Sequence, residues 1–485
     1  MKMRLFGLVL LLPHAVAAGQ VPGPAAAPDI PVSGRDRLYL AEQFSNTVSV
    51  VDPAAGTLLG QIRLGDPQPA NLSPLYRGQL LVHGMGFSPD HRTLAVVSIG
   101  SNAVTFIDTA TNTVRHTTYV GRSPHEAFYS PDGREVWVSV RGEAYIAVLD
   151  ATTFQEVRRL QVPNGPGMTM FSPDGRYAFV CSSFSPETVV FDAATKEIVA
   201  RLKQDSPFAP NIAVTPEGDQ VWLTLKDTGR VMVFAATPPF APIRTIETGP
   251  ITNHVNFART PAGRFAYVTV GGRGEVQVLE TEGLFRQVAA IPVGAMPHGL
   301  WPSGDGSRMW VGIENGDRAV SIDTGTNRVV ASIPIGQAPQ GIVYVPNAVP
   351  EGPGTAGLSP LGAASAVSEL VVESAANPSA TKVSLFDQGL TQVLQAAVTG
   401  LEPRKPYVIG LAARADGSGA VEPLARFMTN PAGAAVVSAV GPIRQLVAPE
   451  GAASAATERR WLVVASVVDD KPGPVLQVQT GGTTQ

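Results

Sequence analysis

Residues 172–181 read SPDGRYAFVC, a tight-turn sequence followed at once by an apolar strand. In such a turn proline sets φ, aspartate hydrogen-bonds nearby backbone, and glycine accepts positive φ. Related turns occur at residues 88–91, 130–133, 215–218, 260–263 and 303–306. The prolines of the first five turns are 42, 42, 43 and 45 residues apart. We therefore predict a structural repeat of about 42 residues.

Each repeat carries the pattern of four short strands. The strand after the turn has an aromatic residue at a fixed place, namely Tyr39, Trp137, Phe179, Trp222, Tyr267 and Trp310, with Ala95 as the exception. The next strand usually ends in aspartate, at Asp52, Asp108, Asp150, Asp192 and Asp323. Four strands per repeat, counted seven times, predict an all-β fold built on a seven-bladed β-propeller. The repeats begin on a middle strand near Leu38 and end on a short strand at 341–345, so this last strand should complete the first blade and remove the free edge.

Two motifs carry a family resemblance. Residues 267–270 (YVTV) and 45–52 (SNTVSVVD), together with the SPDG turns, resemble the YVTN-repeat propellers of the surface-layer type. The resemblance covers about residues 36–347 and implies the seven-bladed fold. Members of that family include surface-layer and periplasmic binding proteins, lactonase-like enzymes and the propeller parts of redox enzymes. The resemblance therefore leaves the function open.

Composition excludes several classes of protein. The 485 residues include 49 Gly and 42 Pro but only 16% charged residues, which excludes a long coiled coil. The 44% hydrophobic content argues against a charged disordered chain. The net charge of −4, without a Lys/Arg cluster, gives no reason to expect nucleic-acid binding. The single cysteine, Cys181, excludes an intramolecular disulfide and is most simply a small buried apolar residue.

The N-terminus has the pattern of an export signal. Lys2 and Arg4 give the chain a basic start, residues 5–12 are apolar, and small residues follow at cleavage-site spacing. We predict a signal peptide over residues 1–18 and a periplasmic or extracellular location. The apolar run is too short to span a bilayer, and no other stretch is a transmembrane candidate. A Pro/Ala/Gly-rich linker is expected at residues 19–35.

The repeat stops near residue 348. Residues 348–362 read as a second linker, and residues 363–480 contain about eight short apolar or alternating runs separated by turns, followed by a tail at 481–485. This pattern predicts a C-terminal β-sandwich domain. The domain has neither His nor Cys, so we expect it to dock the protein or to hold a partner.

Candidate site residues collect where the innermost strands begin. Four of the seven histidines, His83, His125, His254 and His298, lie at or next to one repeat position. Neutral imidazoles suit Cu, Zn or Fe and can also ligate haem iron, so we predict a metal or haem site at the channel. Alternatively, these imidazoles hydrogen-bond water or backbone in a wet channel. Ligand-binding candidates beside them, or on a long insert after the first blade, are Gln340, Glu126, Asn253, Tyr76 and Arg77.

Three functions remain open from the sequence. The first is an exported binding or scaffold protein that recognises a small molecule, glycan or protein at the channel mouth. The second is a metal- or haem-dependent oxidoreductase-type propeller that uses the histidine cluster. The third is a lactonase-like hydrolase. No Ser-His-Asp arrangement in a nucleophile-elbow context is present, which favours a non-catalytic role. The glycine-rich residues 271–274 open no predicted helix and so do not indicate a phosphate site.

Overall fold

The computed structural model describes residues 30–64, 80–362, 367–374, 377–387, 392–441 and 460–484. These residues form β-strands joined by turns and irregular segments, which confirms the all-β prediction. No helix among them is long and apolar enough to cross a lipid bilayer. The predicted signal peptide, most of the first linker, and Tyr76 and Arg77 lie outside the described residues. Export and localisation therefore stay predictions.

The propeller contains the first 28 strands. In chain order they are β1 (Arg37–Glu42), β2 (Thr47–Asp52), β3 (Thr57–Arg63), β4 (Val82–Phe87), β5 (Thr93–Ser98), β6 (Ala103–Asp108), β7 (Val114–Tyr119), β8 (Pro124–Tyr129), β9 (Glu135–Val140), β10 (Tyr145–Asp150), β11 (Glu156–Gln161), β12 (Pro166–Phe171), β13 (Tyr177–Ser182), β14 (Glu187–Asp192), β15 (Glu197–Lys203), β16 (Asn211–Val214), β17 (Gln220–Leu225), β18 (Arg230–Ala235), β19 (Pro242–Glu247), β20 (Thr252–Thr260), β21 (Gly263–Val270), β22 (Glu275–Glu280), β23 (Gln287–Pro292), β24 (Pro297–Pro302), β25 (Arg308–Ile313), β26 (Arg318–Asp323), β27 (Arg328–Pro334) and β28 (Pro339–Val345). They form seven antiparallel four-stranded sheets, so the predicted seven blades are confirmed.

The ring closes by pairing the two ends of the repeat region. β28 pairs with β1 in the order β28-β1-β2-β3, with Leu38 opposite Tyr344. The Tyr344 hydroxyl also donates a hydrogen bond to the Asp36 carboxylate. The predicted completion of the first blade by the last short strand is therefore confirmed. The innermost strands β28, β4, β8, β12, β16, β20 and β24 are neighbours around the central channel.

The repeated turns are held by local side-chain hydrogen bonds. In the 172–175 turn the Ser172 hydroxyl donates to Asp174 at 2.6 Å and accepts from the Tyr177 amide at 2.9 Å. At the end of β2, Asp52 Oδ1 accepts from two backbone amides, each at 2.9 Å. The aspartates at the ends of β6, β10 and β14 accept hydrogen bonds in the same way. These carboxylates therefore stabilise turns.

Buried aromatic side chains join adjacent blades. Trp222 of β17 is fully buried and packs edge-on against Phe257, which lies on β20 of the next blade, with 5.7 Å between ring centroids. Its indole N–H donates to Gln220 at 2.8 Å, so the buried polar atom is satisfied. Trp137 packs edge-on against Phe171 of its neighbouring blade in the same way. The repeated aromatic position is therefore the contact between blades.

Close approach of the innermost strands requires glycine at Gly341. A Cβ added there would lie 2.4 Å from the His83 carbonyl oxygen on the adjacent strand β4. We expect Gly341→Ala to lower the free energy of unfolding by about 2 kcal/mol, because backbone rather than a flexible side chain must move. Gly312→Ala is the control, since its nearest heavy atom would be 3.4 Å away. Chemical denaturation measures both, and equal losses would contradict the prediction.

The C-terminal domain is a single curled sheet. Its strands are β29 (Val367–Ser374), β30 (Asn377–Asp387), β31 (Gln392–Val398), β32 (Pro406–Ala412), β33 (Val421–Met428), β34 (Ala435–Gly441), β35 (Trp461–Val468) and β36 (Lys471–Thr484). They follow the order β33-β32-β35-β36-β29-β30-β31-β34, and the edge strands β33 and β34 approach each other. The result is a nearly closed, barrel-like arrangement around its own apolar core. The eight-stranded, sandwich-like prediction is confirmed in this form.

This domain contacts the propeller at the end of the blades where the innermost strands begin. Ile251 and Met296, which precede β20 and β24, form one apolar cluster with Ala397 and Ala434. The Ala432 amide donates to the carbonyl of Asp227 at 3.0 Å. The domain therefore lies beside one mouth of the channel.

Candidate functional site at the channel mouth

One repeated position of the innermost strands forms a ring of polar residues. Sheet register places Pro124, Pro166 and Pro297 opposite the last residues of their neighbouring strands. The residues that follow these prolines, and their equivalents in the other blades, are His83, His125, Gly167, Asn211, Asn253, His298 and Gln340. His254 comes one residue later, after Asn253.

Asn211 belongs to this ring and was missed from the sequence. His125 lies six residues before the proline of its turn, whereas Asn211 lies five residues before Pro216, so counting back from the turn does not find it. The recurring Pro-X step at the strand start, as in Pro124-His125 and Pro339-Gln340, is the signal that could have identified Asn211.

The structure brings the four predicted histidines together. The ring centroids of His83 and His125 are 4.4 Å apart, those of His83 and His298 are 6.1 Å apart, and those of His254 and His298 are 4.7 Å apart. His83, His125 and His298 are 3–7% exposed. Strands from four blades thus supply one buried imidazole cluster.

Two of the imidazoles are oriented by backbone carbonyls of the next blade. His125 Nδ1 lies 2.8 Å from the Gly167 carbonyl oxygen, and His298 Nδ1 lies 3.0 Å from that of Gln340. A carbonyl only accepts, so each Nδ1 carries the proton and each neutral ring has an unprotonated Nε2. This is how proteins orient a histidine that ligates a metal.

His254 has the opposite tautomer. The Asn211 side-chain oxygen accepts from the Val255 amide at 3.0 Å, which turns its NH₂ group toward His254 Nδ1 at 3.1 Å. Because Nδ1 accepts, the neutral ring carries its proton on Nε2. His254 is therefore set up as a hydrogen-bond donor rather than as a ligand.

One buried polar atom at this mouth, Asn253 Oδ1, has no hydrogen-bond partner among the described residues. His83 Nδ1 and Gln340 Nε2 are also buried and lack a partner of good geometry, although the His125 backbone and the Glu314 carboxyl lie close to these two side chains. Buried polar atoms are nearly always paired, and an exception is expected where an ion or ligand completes the set. The predicted candidate Asn253 therefore retains unused hydrogen-bonding capacity.

Glu126 completes a group of three possible metal ligands. One ring nitrogen each of His83 and His125 and a carboxyl oxygen of Glu126 all lie within 4.8 Å of one another. Glu126 is 4% exposed, and the absence of a Cβ at Gly84 leaves room for its carboxyl group. Burial raises the pKa of Glu126 to about 8, with a hydrogen bond from the Met85 backbone opposing the shift. The group is neutral at pH 7 until a cation is bound.

A cavity beside the imidazoles has both apolar and polar walls. Its lining includes Met85, Met168, Met170, Ile212 and Leu300 together with Glu126, Asn211, His254 and Asn256. Desolvation in this setting lowers the pKa of His83 and of His254 to about 3, and neighbouring positive charge adds to it. The pKa of His125 and of His298 is also held well below the usual value, chiefly by burial. All four rings are neutral at pH 7.

Acid should destabilise the metal-free propeller through these rings. Below pH 6.5 an unfolded chain protonates His298 while the folded protein does not, so stability is full above that pH and is lost as the pH falls. Below pH 6.5 we expect the free energy of unfolding to fall with pH less steeply in His298→Asn than in the wild type. The difference between the two slopes should be about 1.4 kcal/mol per pH unit. Asparagine is tolerated because Asn253 occupies the equivalent position. Denaturation at pH 7.5 and pH 5 tests this, and identical slopes would contradict it.

Two cationic residues and one carboxyl flank the cluster and escaped the sequence reasoning. Arg141, Lys226 and Glu314 each directly follow the second strand of a blade, at the same end as the ring. Burial lowers the pKa of Lys226, and the nearby Glu314 charge opposes that shift. Aligning the blades at the residue after this strand would have revealed them.

Comparison with known proteins agrees with the fold. No protein-family model and no curated protein matches this chain. A protein of unknown function from Desulfotomaculum acetoxidans has 14% identity and a TM-score of 0.54, over 64% of this chain and 98% of its own. Weaker matches are hydrazine synthase from Kuenenia stuttgartiensis (19% identity, TM-score 0.49, 54% and 88% covered) and the dihydro-heme d1 dehydrogenase NirN (16%, 0.49, 69% and 81%). At these sequence identities the similarity concerns the fold alone.

Proposed function

We propose that this protein is a transition-metal-dependent propeller protein with a metal centre at the channel mouth. His83, His125 and Glu126 are the ligands in this proposal. The observation that carries it is the meeting of their three ligand atoms within 4.8 Å in a buried site. The neutral imidazoles and the His125 Nδ1 hydrogen bond to Gly167 support it, because neutral, oriented rings bind metals.

The donor set indicates the kind of centre. Two imidazoles and a carboxylate suit Fe, Zn, Cu or Ni, whereas Ca and Mg prefer oxygen ligands alone. Three protein ligands leave a position for water or substrate, which is typical of catalytic rather than structural sites. When bound, Fe or Cu would supply redox chemistry and Zn a Lewis acid. The His298 ring lies 6.1 Å from the His83 ring between centroids, so it would be near an ion held by His83.

Metal analysis of the whole, untagged protein tests the proposal. We expect about one transition-metal ion per chain after purification, and one Co(II) or Zn(II) bound per metal-free chain in a calorimetric titration. His116→Ala, a histidine on the outermost strand β7, is the control and should bind equally. The proposal is wrong if no metal co-purifies and added Co, Cu and Zn leave thermal stability unchanged. A Soret band would instead favour the haem alternative.

The second candidate function is metal-free binding of a small molecule at the same mouth. The two cations Arg141 and Lys226 favour it, because they could hold a charged ligand without a metal. We also propose, from the sequence motifs, that the chain belongs with the YVTN-repeat propellers and is exported.

A further inference from the structure

Arg141 and Lys226 are cations without a carboxylate in direct contact. In the described parts of the chain neither forms an ion pair, whereas arginines such as Arg264, Arg286 and Arg308 each contact a carboxylate. Both are half-buried, which makes unneutralised charge costly. Solubility does not explain these two half-buried cations, because charges that serve solubility lie at the exposed surface.

Aromatic rings hold the Arg141 guanidinium in place. Its central carbon lies 5.5 Å from the ring centroid of Phe184 and 5.5 Å from that of Phe208. Ring faces attract the cation but offer no acceptor oxygen for its N–H groups. Its Nε is buried without a hydrogen-bond partner among the described residues. The planar guanidinium is therefore held in place while its Nε–H donor is unused. Its N–H groups have the geometry to donate two parallel hydrogen bonds to a carboxylate or phosphate.

Neighbouring contacts also fix the loop that carries Lys226. The side chain of the next residue, Asp227, accepts a hydrogen bond from the Ser206 hydroxyl. The Asp227 carbonyl accepts from the Ala432 amide of the C-terminal domain at 3.0 Å. The ammonium is thus carried on a loop braced from two sides, which limits the ordering cost of binding a ligand.

The two cations converge on the imidazole cluster. Arg141 follows Val140, which lies opposite Pro124 and so next to His125. The Lys226 amide donates to the Phe208 carbonyl at 3.3 Å, and the Arg141 guanidinium contacts the ring of the same Phe208. Glu314, which directly follows β25 at the same end of the blades, is the flanking carboxyl that faces these two cations.

We propose that Arg141 and Lys226 form an oxyanion subsite beside the imidazole cluster, which binds the carboxylate or phosphate group of a small molecule. This subsite rests on the proposed function in one respect: it specifies the class of substrate that would bind at the same channel mouth. The oxyanion accepts hydrogen bonds from the Arg141 fork and pairs with the Lys226 ammonium. A body attached to it would reach the imidazoles and the open metal position.

Calorimetric titration of the metal-free whole protein at constant ionic strength tests this subsite. Acetate, succinate and inorganic phosphate are the probes, and the one that binds tightest identifies the oxyanion type. We expect Arg141→Gln and Lys226→Gln each to lower that affinity at least about 10-fold. Arg158→Gln, an exposed residue on β11, should leave it unchanged. Arg141→Lys keeps the positive charge but loses the paired N–H donors, so its affinity for the probe should lie between those of the wild type and Arg141→Gln. This variant tests the subsite even if Arg141→Gln folds poorly.

Two outcomes would overturn the subsite: no probe binds the wild type, or every probe binds wild type and variants alike. Both are read without metal, so they are independent of the metal titration. If metal fails to bind but the oxyanion requires Arg141, only the proposed metal centre is wrong. If metal binds while the variants do not affect the oxyanion, only the subsite is wrong.

Discussion

Glu126→Gln should lower the affinity for Zn(II) or Co(II) at least about 100-fold while leaving the propeller folded. The buried Glu126 carboxyl is neutral in the metal-free protein, since its pKa is raised to about 8. Glutamine has the same shape and is also neutral, so the fold should lose little. When a metal binds the wild type, it displaces the Glu126 proton and the carboxylate becomes an anionic ligand. Glu126→Gln lacks that anionic ligand.

Glu314→Gln is the matched control for this substitution. Glu314 lies at the same mouth and burial also raises its pKa, but it is outside the group of three ligand atoms. We expect its effect on metal affinity to stay within about 3-fold. Calorimetry with the metal-free protein measures both variants. Equal losses would mean that Glu126 contributes only general negative charge, and an unchanged Glu126→Gln affinity would remove it from the ligand set.

Trp222→Ala should lower the free energy of unfolding of the propeller by about 4 kcal/mol. The side chain is fully buried between two blades, packs against Phe257 and Phe285, and satisfies its own N–H through Gln220. Its removal leaves a cavity in a rigid contact between sheets, which neighbouring strands cannot fill without breaking their hydrogen-bond ladders.

Ile243→Ala on the outermost strand β19 of the same blade is the control. That side chain is 44% exposed, so its truncation should cost less than about 1 kcal/mol. Chemical denaturation followed by tryptophan fluorescence and by circular dichroism measures both. A loss below 1 kcal/mol in Trp222→Ala would show that the repeated aromatic position does not carry the contact between blades.

The repeat could be predicted from the sequence because its causes are local. A turn such as 172–175 requires Pro, Asp and Gly at adjacent positions, and the same residues recur at nearly constant spacing. The aromatic residue after each turn and the aspartate after the next strand belong to the same unit. Blade number and closure by β28 then follow from counting, since a free edge strand is costly.

The site could be predicted only in part. Equivalent positions in a propeller converge on the axis, so the spacing of His83, His125 and His298 was enough to group them. Asn211 was missed because one connection is a residue shorter. Arg141 and Lys226 were missed because each directly follows the second strand of its blade, a position that the turn spacing does not mark. The histidine tautomers could not be predicted either, because the spacing of residues along the chain does not show which imidazole nitrogen lies next to a backbone carbonyl.

The sequence by itself determined the all-β fold and the seven blades, and it grouped four histidines at or next to one repeat position. These follow from turn chemistry and a fixed period, which operate within each 42-residue unit. Only the tertiary structure decided that Glu126 joins two of those histidines, that His254 has the other tautomer, and that two cations lie beside them. Those properties depend on burial and on hydrogen bonds between residues of different blades, and no local pattern specifies either.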